Sequence, residues 1–302
     1  MLWHYHLMEQ PVFLGIDGGG SRCRARIRDV SGALLSEAAG GPANIYQDFD
    51  AALAMIVQVA GEAAGKISMP LATLHAGLGL AGIATSRDAA RVLSKSLPFA
   101  SVHADNDAAV ACLGAFGGGD GGIVIAGTGS IGFALHEGQR HMVGGWGFAL
   151  GDHGSGAWIG HHATRRAALV IDGLLQPTPL IEKVMALAGS NRVDLTHWSE
   201  NASPKDFAQF APAVFEYAKV GDVHAMTILI EGASAISTLG RALLARGVRR
   251  LCLLGGLSQV YLPYLDADMR RVLVPPQADA LDGAITLARM AQGLAGTPGA
   301  FS

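Results

Sequence analysis

The chain is poor in cysteine, in charged residues and in aromatic residues. Its 302 residues include three cysteines, 16% charged residues and 6% aromatic residues. Cys23, Cys112 and Cys252 lie far apart in apolar segments without Cys-x-x-Cys or Cys/His spacing, which predicts buried free thiols rather than a disulfide scaffold or a zinc site. A net charge of −3 without a long basic cluster argues against a nucleic-acid partner.

Signals for export and membrane insertion are also missing. The longest uncharged segment, residues 67–86, contains a proline, a histidine and three glycines, so it does not fit a membrane-spanning helix. The first eight residues lack the basic region of a signal peptide, and Met8 is an alternative start that would make residues 1–7 extraneous. We therefore expect a cytoplasmic protein without a membrane partner.

Glycine is the residue in excess, with 41 copies against an average share of about 7%. Two glycine-rich loops, residues 17–21 and 127–129, each follow an apolar β-rich run and precede a second strand. Glycine allows backbone N–H groups to approach a polyphosphate, and a carboxylate such as Asp17 can hold Mg²⁺ through water. Two such loops in one chain predict nucleotide binding, although each loop alone also fits a tight hairpin.

The hydrophobic pattern predicts two α/β domains, at 10–117 and 118–302, joined at the glycine-rich segment 117–122. The last predicted helix could also pack back on the first domain. Strands are expected at 12–17, 23–29, 33–38, 73–80, 101–104, 123–126, 131–135 and 250–254. Helices are expected at 50–65, 86–96, 108–116, 155–172, 179–188, 204–219, 222–246 and 279–293.

Four motifs in a fixed order resemble those of the sugar kinase–actin–Hsp70 ATPase superfamily. They are a first phosphate motif, a connecting segment, a second phosphate motif and an adenosine motif, at Leu14–Ser21, Asp105–Ala115, Ile123–Leu135 and Leu253–Ser258. Within this superfamily the chain is similar to the N-acetylglucosamine kinase and BadF/BadG-type ATPase family. The segment Gly144–Ser155 resembles the sugar loop of N-acetylglucosamine kinases, and Gly40–Asn44 resembles their other sugar-contacting turn.

The resemblance implies two ribonuclease-H-like domains with an interdomain cleft, ATP and Mg²⁺ as cofactors, and a homodimer. It also implies phosphorylation of an amino sugar at the 6-hydroxyl, with N-acetylglucosamine or glucosamine as the acceptor. The chain departs from the family pattern at His153, where a related kinase carries an acidic residue. If that carboxylate helps to bind sugar, the specificity of this chain differs.

The motifs assign a role to each candidate residue. Asp107 is the expected catalytic base and also a sugar ligand, because a positioned carboxylate can accept the proton of the attacking hydroxyl. Mg²⁺ is expected near Asp17 and Asp105. Phosphate contacts are expected from Gly18, Gly19, Gly20, Ser21, Gly127, Thr128 and Gly129, and adenosine contacts from Gly255, Gly256 and Ser258. The remaining sugar contacts are expected from Asn44, Gly145, Trp146, Gly147 and Asp152.

Ordinary structural roles compete with several of these assignments. Asp107 could be the N-cap of the helix that follows it, and Asp152 could cap the helix that begins near Ser155. Asp105 could serve the geometry of its turn instead of binding Mg²⁺. Gly255 and its neighbours could form a plain strand-to-helix turn.

Other functions fit the sequence less well. Residues 77–82 and 127–132 match the Gly-x-Gly-x-x-Gly pattern of dinucleotide-binding proteins, but the helix after the first match begins late and the second match continues into a strand. The chain contains no Gly-x-x-x-x-Gly-Lys-[Ser/Thr] motif. A BadF-type ATPase that activates a dehydratase would need cysteines at an iron–sulfur cluster, and a sugar-sensing regulator of this fold usually carries a DNA-binding extension. Both remain alternatives to the kinase.

Overall fold

The computed structural model describes residues 10–294; residues 1–7, which the sequence suggested could be extraneous, lie outside the described residues. The chain divides into two compact units. Within the described residues, one contains 10–121 together with 275–294, and the other spans Gly122–Val274. The first boundary falls a few residues after the predicted one at 117/118. Helix 280–291, which the sequence allowed to pack back on the first domain, belongs to the first unit.

A five-stranded mixed sheet lies at the centre of the first unit. Its strand order is β3-β2-β1-β4-β5, with β1 antiparallel to β2 and parallel to β4. The strands are β1 Val12–Gly18, β2 Cys23–Arg28, β3 Leu34–Gly40, β4 Leu74–Leu80 and β5 Ser101–Asn106.

A four-stranded sheet lies in the second unit, in the order β8-β7-β6-β9. Its strands are β6 Gly121–Ala126, β7 Ser130–His136, β8 Gln139–Gly144 and β9 Leu251–Leu254. The sequence did not predict β8, whose polar, half-exposed residues lack the alternation of a buried strand. It pairs antiparallel with β7, and β6 pairs parallel with β9.

Twelve α-helices occur between residues 10 and 294. They are α1 Phe49–Gly65, α2 Ser86–Leu93, α3 Asp107–Phe116, α4 Gly156–Ile171, α5 Pro179–Ala188, α6 Arg192–Asn201, α7 Pro204–Ala208, α8 Ala211–Lys219, α9 Val223–Leu244, α10 Ser258–Tyr261, α11 Ala267–Val272 and α12 Ala280–Ala291. Leu71–Thr73 and Leu262–Tyr264 form short 3₁₀ helices.

Between residues 192 and 219, the helices of the second unit differ from the prediction. The predicted helix 204–219 is two helices, α7 and α8, and Pro212 lies in the first turn of α8, where its missing N–H costs no helical hydrogen bond. Helix α6 was not predicted, because it buries a single hydrophobic residue, Leu195, and shows no apolar stripe.

The two faces of the first sheet are covered by different helices. Leu14 and Ile16 of β1 point into a core shared with α1, whereas Gly15 lies against α12. A Cβ atom on Gly15 would overlap the carbonyl of Leu281, and one on Gly77 would overlap that of Ala284. Small residues therefore let α12 lie directly on β1 and β4.

The core of the second unit is mostly helical. The long helix α9 buries ten of its residues there, and it is the one helix between residues 10 and 294 that is long and apolar enough to cross a membrane. Burial of one face in a protein core is what a central helix of a globular unit requires.

Candidate active site

Asp17 lies near the carboxyl end of β1, directly opposite Arg24 on β2. The Arg24 guanidinium donates two hydrogen bonds to Asp17 Oδ2, from Nη2 at 2.6 Å and from Nε at 3.2 Å. The Asp17 side chain remains about one fifth exposed. The sequence did not single out Arg24, because its significance follows only from the strand register.

Arg24 begins a row of three arginines along β2 that faces the last helix. Arg26 contacts Asp279 and Asp282 at 2.7 Å each, and Arg28 contacts Asp282 at 2.7 Å. Asp282 is buried, and the surrounding carboxylates raise the pKa of the Arg26 guanidinium against the effect of its burial. These ion pairs join the start of α12 to the strand that carries the partner of Asp17.

The first glycine loop follows β1. The Gly19 N–H donates to the Arg22 carbonyl at 2.9 Å, so that N–H is already used within the loop. A Cβ on Gly18 would come within 2.8 Å of the Leu80 side chain, so a larger residue there would have to displace Leu80. Gly20 and Ser21 are exposed to solvent, and of the predicted phosphate contacts in this loop they are the accessible ones.

Asp105 lies in the same cross-sheet row as Asp17, with Gly79 of β4 between them. Strand spacing places the two aspartates about 10 Å apart on one face. A Cβ on Gly79 would overlap the Val110 side chain of α3, so an apolar group occupies the space between the carboxylates. Asp105 is buried, and its Oδ1 accepts the Asn106 N–H at 2.8 Å. This geometry favours a supporting role for Asp105 over metal coordination.

Asp107 is the first residue of α3 but not its cap. The N-cap is Asn106, whose side chain accepts the Ala109 N–H at 2.6 Å. The capping role considered for Asp107 is therefore filled by its neighbour, and Asp107 Oδ1 accepts the adjacent Ala108 N–H at 2.9 Å. The Asp107 side chain remains accessible to solvent at this helix start.

The environment of Asp107 disfavours its charge. Crowding by surrounding protein atoms raises the pKa of the Asp107 carboxyl above its ordinary value, the Ala108 N–H lowers it, and the negative charge of Asp17 raises it further. The group nevertheless keeps an accessible surface, so desolvation is partial and water can reach it. An accessible carboxylate with a raised pKa fits a proton acceptor.

Asn44 lies beside the first glycine loop. Its side-chain oxygen accepts the Tyr46 N–H at 2.9 Å, and its side-chain nitrogen would lie 3.8 Å from a Cβ on Gly20. Gly82 packs against the same turn with φ near +98°, a conformation that favours glycine. Asn44 therefore presents its amide NH₂ group close to the exposed part of the loop.

The second glycine loop is held by the start of α4. The Gly156 N–H donates to the Gly127 carbonyl at 2.7 Å, and the Ala157 N–H donates to the Thr128 carbonyl at 3.2 Å. The Gly127 N–H donates to the Gly129 carbonyl at 2.9 Å, which closes the turn. Thr128 is exposed at the tip, so its hydroxyl is open to a ligand.

Asp152 packs against the same loop. Its Oδ1 accepts the Ser130 N–H at 3.0 Å, and a Cβ on Gly129 would lie 3.0 Å from that oxygen. Burial raises the pKa of Asp152, whereas the Ser130 N–H and the charge of His153 lower it. The N-cap of α4 is Ser155, so the capping role considered for Asp152 is filled by another residue.

The sugar loop residues before Asp152 are largely exposed. Gly145 and Gly147 have φ near +71° and +76°, and Trp146 is 73% exposed. The Gly147 carbonyl accepts the N–H groups of Leu150 and Gly151, which gives the segment an internal turn. The indole of Trp146 is thus presented at the surface of the second unit instead of being packed in its core.

The predicted adenosine turn lies next to the second glycine loop. The Leu257 N–H donates to the carbonyl of Ala126, the residue before Gly127, at 3.0 Å. Gly255 has φ near +92°, and a Cβ there would overlap the Ala126 carbonyl. A Cβ on Gly256 would meet no atom within 4 Å, so a planar ligand can approach this backbone. Ser258 begins α10.

Tyr261 is a supporting residue that the sequence analysis missed. Its buried hydroxyl donates to the Gly154 carbonyl at 2.7 Å, beside Asp152. The Ser130 hydroxyl likewise donates to the His153 carbonyl at 2.9 Å. The sequence does place this tyrosine about one helical turn after the Gly255 motif, and that position is the signal that could have identified it. These bonds hold the end of the sugar loop against β7 and α10.

The comparisons with known proteins agree with these motifs. The sequence profile of the BadF/BadG/BcrA/BcrD ATPase family matches residues 14–288. The chain is 37% identical to glucosamine kinase GspK of Vibrio cholerae, over 91% of this chain and 95% of that protein. It is 30% identical to N-acetyl-D-glucosamine kinase of Dictyostelium discoideum, over 77% of this chain and 79% of that protein. The crystal structure of a candidate N-acetylglucosamine kinase from Chromobacterium violaceum matches with a TM-score of 0.86 at 32% identity, covering 92% of this chain and 99% of that one.

Proposed function

Because the chain belongs to the BadF/BadG/BcrA/BcrD ATPase family, we propose that it is a kinase that transfers the γ-phosphate of ATP to the 6-hydroxyl of an amino sugar. The observation that carries the proposal is Asp107: an accessible carboxylate at a helix start, with a raised pKa and with the capping role filled by Asn106. Phosphoryl transfer depends mainly on positioning and on charge stabilisation, and Asp107 would orient the hydroxyl and accept its proton.

The first unit supplies the acceptor side of the reaction in this proposal. The amide NH₂ of Asn44 would donate to sugar hydroxyls, while Asp107 accepts from the reacting one. Gly20 and Ser21 would donate to phosphate oxygens. Asp105 would keep the start of α3 in place through the Asn106 backbone.

The second unit supplies most of the nucleotide contacts. Thr128, with Gly127 and Gly129, would contact the terminal phosphates, and the open backbone at Gly255 and Gly256 would lie against the adenosine. The exposed sugar loop of the same unit would contribute sugar contacts through Gly145, Trp146, Gly147 and Asp152. The hydrogen bond from Ser130 to Asp152 would couple sugar contacts to the phosphate loop, because both depend on the same turn.

Mg²⁺ fits this arrangement through Asp17. Between residues 10 and 294, no group of three His, Cys, Asp or Glu side chains could hold a metal ion alone, so ATP oxygens and water would provide most of the ligands. Asp17 is partly exposed, and Arg24 bonds its Oδ2 alone, so Oδ1 is the oxygen that would accept from a water of a hydrated cation. Bound Mg²⁺ would supply charge neutralisation on the phosphates.

Glucosamine and N-acetylglucosamine are the two acceptors that the relatives suggest. The Vibrio relative, at 37% identity over 95% of its length, carries the name glucosamine kinase, and this favours glucosamine as the first acceptor to test. The Dictyostelium relative carries the name N-acetyl-D-glucosamine kinase, and this makes N-acetylglucosamine the second acceptor to test. Both acceptors present the same 6-hydroxyl to Asp107.

An ADP-release assay over a panel of acceptors tests the proposal. The panel contains glucosamine, N-acetylglucosamine, N-acetylmuramate and glucose, with Mg²⁺ and a control without sugar. We expect kcat/KM to be highest for one amino sugar and ATP hydrolysis to be slow without acceptor. Sugar-independent hydrolysis, or no hydrolysis with any acceptor, would reject the kinase.

The cysteines weigh against the rival role of a dehydratase activator. All three are buried, and burial raises the pKa of Cys23 to about 12 and that of Cys252 to about 11. Buried thiols that resist ionisation are poor ligands for a cluster shared between subunits. Iron analysis of anaerobically purified protein should find no stoichiometric iron; one cluster per dimer would favour the rival.

The assembly and location that the sequence suggested belong to the same proposal. We expect a homodimer in the cytoplasm. Light scattering of the purified protein would measure its mass directly, and a monomer over the micromolar range would contradict the expected dimer.

A further inference from the structure

A groove of about 450 Å³ lies on the helical part of the second unit. Helix α4 forms one wall through His161, Thr164 and Arg165, and α6 forms the other through Arg192 and Thr196. None of the residues assigned to ATP or sugar lines it. The groove is open to solvent, and its size fits a small polar molecule.

The floor of the groove is aromatic. Phe148 and Phe207 stack with ring centroids 5.3 Å apart, and His161 meets both rings edge-on, at 5.5 Å and 5.2 Å. Burial, and secondarily the Arg165 charge, lower the pKa of His161, so this ring is neutral at pH 7. An apolar, planar floor of this kind fits the face of a pyranose ring that presents its C–H groups.

The rim of the groove is cationic. Arg192, whose side chain is largely exposed, donates to the partly exposed Asp172 at 2.6 Å, and Arg165 is also exposed. Two guanidinium groups against one carboxylate leave a net positive rim, and the guanidinium fork binds phosphate in bidentate geometry. Thr164 and Ser199 donate their hydroxyl hydrogens to helix carbonyls, which leaves the lone pairs of their oxygens as acceptors for a ligand hydroxyl.

Phe148 links the groove to the sugar loop. It directly follows Gly147, whose carbonyl holds the backbone of Leu150 and Gly151 in the turn before Asp152. A ligand that moves the Phe148 ring therefore acts on the loop that carries the candidate sugar contacts. The groove is placed to sense a ligand and to alter acceptor binding.

We propose that this groove binds a hexose phosphate, the class of product that the proposed kinase releases, and that its occupancy slows the kinase through Phe148. The inference rests on the proposed function for its choice of ligand. The aromatic floor, the hydroxyl acceptors and the two arginines together match a ring, its hydroxyl groups and a phosphate.

Calorimetric titration with glucosamine 6-phosphate tests the site. Saturating glucosamine is present, so that the acceptor site is occupied and the remaining binding reports on the groove. The double variant R165Q/R192Q should weaken this binding about tenfold or more, whereas R249Q, an exposed arginine elsewhere in the unit, should leave it unchanged. Unchanged binding in R165Q/R192Q, or equally tight binding of inorganic phosphate alone, would overturn the proposal.

Steady-state kinetics test the regulatory part. Glucosamine 6-phosphate should inhibit the parent enzyme non-competitively with glucosamine, and R165Q/R192Q should lose that component while keeping its kcat without product. Inhibition that is competitive only, or identical in the double variant, would reject the groove and leave the kinase standing. Absence of turnover with every amino sugar would instead reject the kinase, independently of the titration.

Discussion

The chemistry proposed for this chain depends on single residues whose neighbours decide their roles. Asp107 is the clearest case, because Asn106 caps the helix and the Asp107 carboxylate, which accepts the adjacent Ala108 N–H, stays exposed to a ligand. The sequence placed both residues at the same turn but did not distinguish the cap from the base, since either side chain can cap a helix. Arg24, in contrast, could not be singled out from the sequence, because its pairing with Asp17 follows from the strand register alone.

Replacing Asp107 with asparagine should abolish most of the turnover without weakening the fold. Loss of the proton acceptor is expected to lower kcat by about 10²- to 10⁴-fold, with ATP affinity nearly unchanged. The folded state raises the pKa of Asp107, so its ionisation costs stability above the unfolded-state pKa. D107N should therefore melt at or above the parent temperature at pH 7; near-normal kcat would remove Asp107 from the role.

The same carboxylate predicts an acid limb in the pH profile. Because the base must be ionised, kcat/KM should fall as pH drops through the raised pKa of Asp107, with a midpoint above the ordinary aspartate value of about 3.9. The measurement is kcat/KM from pH 4.5 to 8, with circular dichroism at each pH to confirm folding. A profile that stays flat to the lowest pH at which the protein remains folded would contradict this assignment.

His153 offers a test of acceptor choice. It is exposed and directly follows Asp152 in the sugar loop. H153E adds a negative charge near the sugar loop and should favour protonated glucosamine over neutral N-acetylglucosamine by up to about 1 kcal/mol, or about fivefold in the ratio of kcat/KM. H153Q is the matched neutral control; an identical ratio in all three proteins would place His153 away from the acceptor.

At the scale of elements, the close packing of α12 on the first sheet restricts the residues that β1 and β4 can carry at Gly15 and Gly77. Strands β1 and β2 and the first glycine loop could be predicted, because apolar alternation and a glycine cluster are strong local signals. Strand β8 and helix α6 could not, since one is a polar edge strand and the other buries a single hydrophobic residue. Strand β8 and helix α6 are stabilised by contacts with distant parts of the chain, which the local sequence does not reveal.

The glycine contacts of α12 predict a difference between two Gly→Ala variants. G77A should destabilise the first unit by about 1–3 kcal/mol, because its Cβ would overlap the Ala284 carbonyl. G61A lies inside α1 with no atom within 4 Å of a new Cβ and should stabilise by about 0.5–1 kcal/mol. Scanning calorimetry would compare the two; equal melting temperatures would mean that α12 can shift at little cost.

At the scale of the whole molecule, the chain closes its first unit with its own last described helix. The two mixed sheets confirm the predicted α/β architecture and the actin-like ATPase fold. The sequence left open on which unit the last helix packs; α12 belongs to the first. The packing of α12 on the first unit depends on pairs of side chains more than 200 positions apart, such as Arg26 and Asp282. No local sequence pattern could predict such a pairing.

The buried ion pairs at α12 should therefore matter more than the exposed ones. D282N removes a buried carboxylate that serves Arg26 and Arg28, and it should destabilise the first unit by about 3 kcal/mol or more. E37Q removes an exposed partner of the same Arg26 and should cost less than about 1 kcal/mol. Calorimetry in low and high salt would measure both; equal effects would mean that the buried network does not hold α12.

Identification of the reaction product tests the central claim most directly. The protein is incubated with glucosamine, ATP and Mg²⁺, and the products are quantified by phosphorus NMR and mass spectrometry, with D107N in parallel. The account predicts glucosamine 6-phosphate and ADP in equal amounts from the parent and almost none from D107N. Inorganic phosphate in place of a sugar phosphate, or the same yield from D107N, would contradict it.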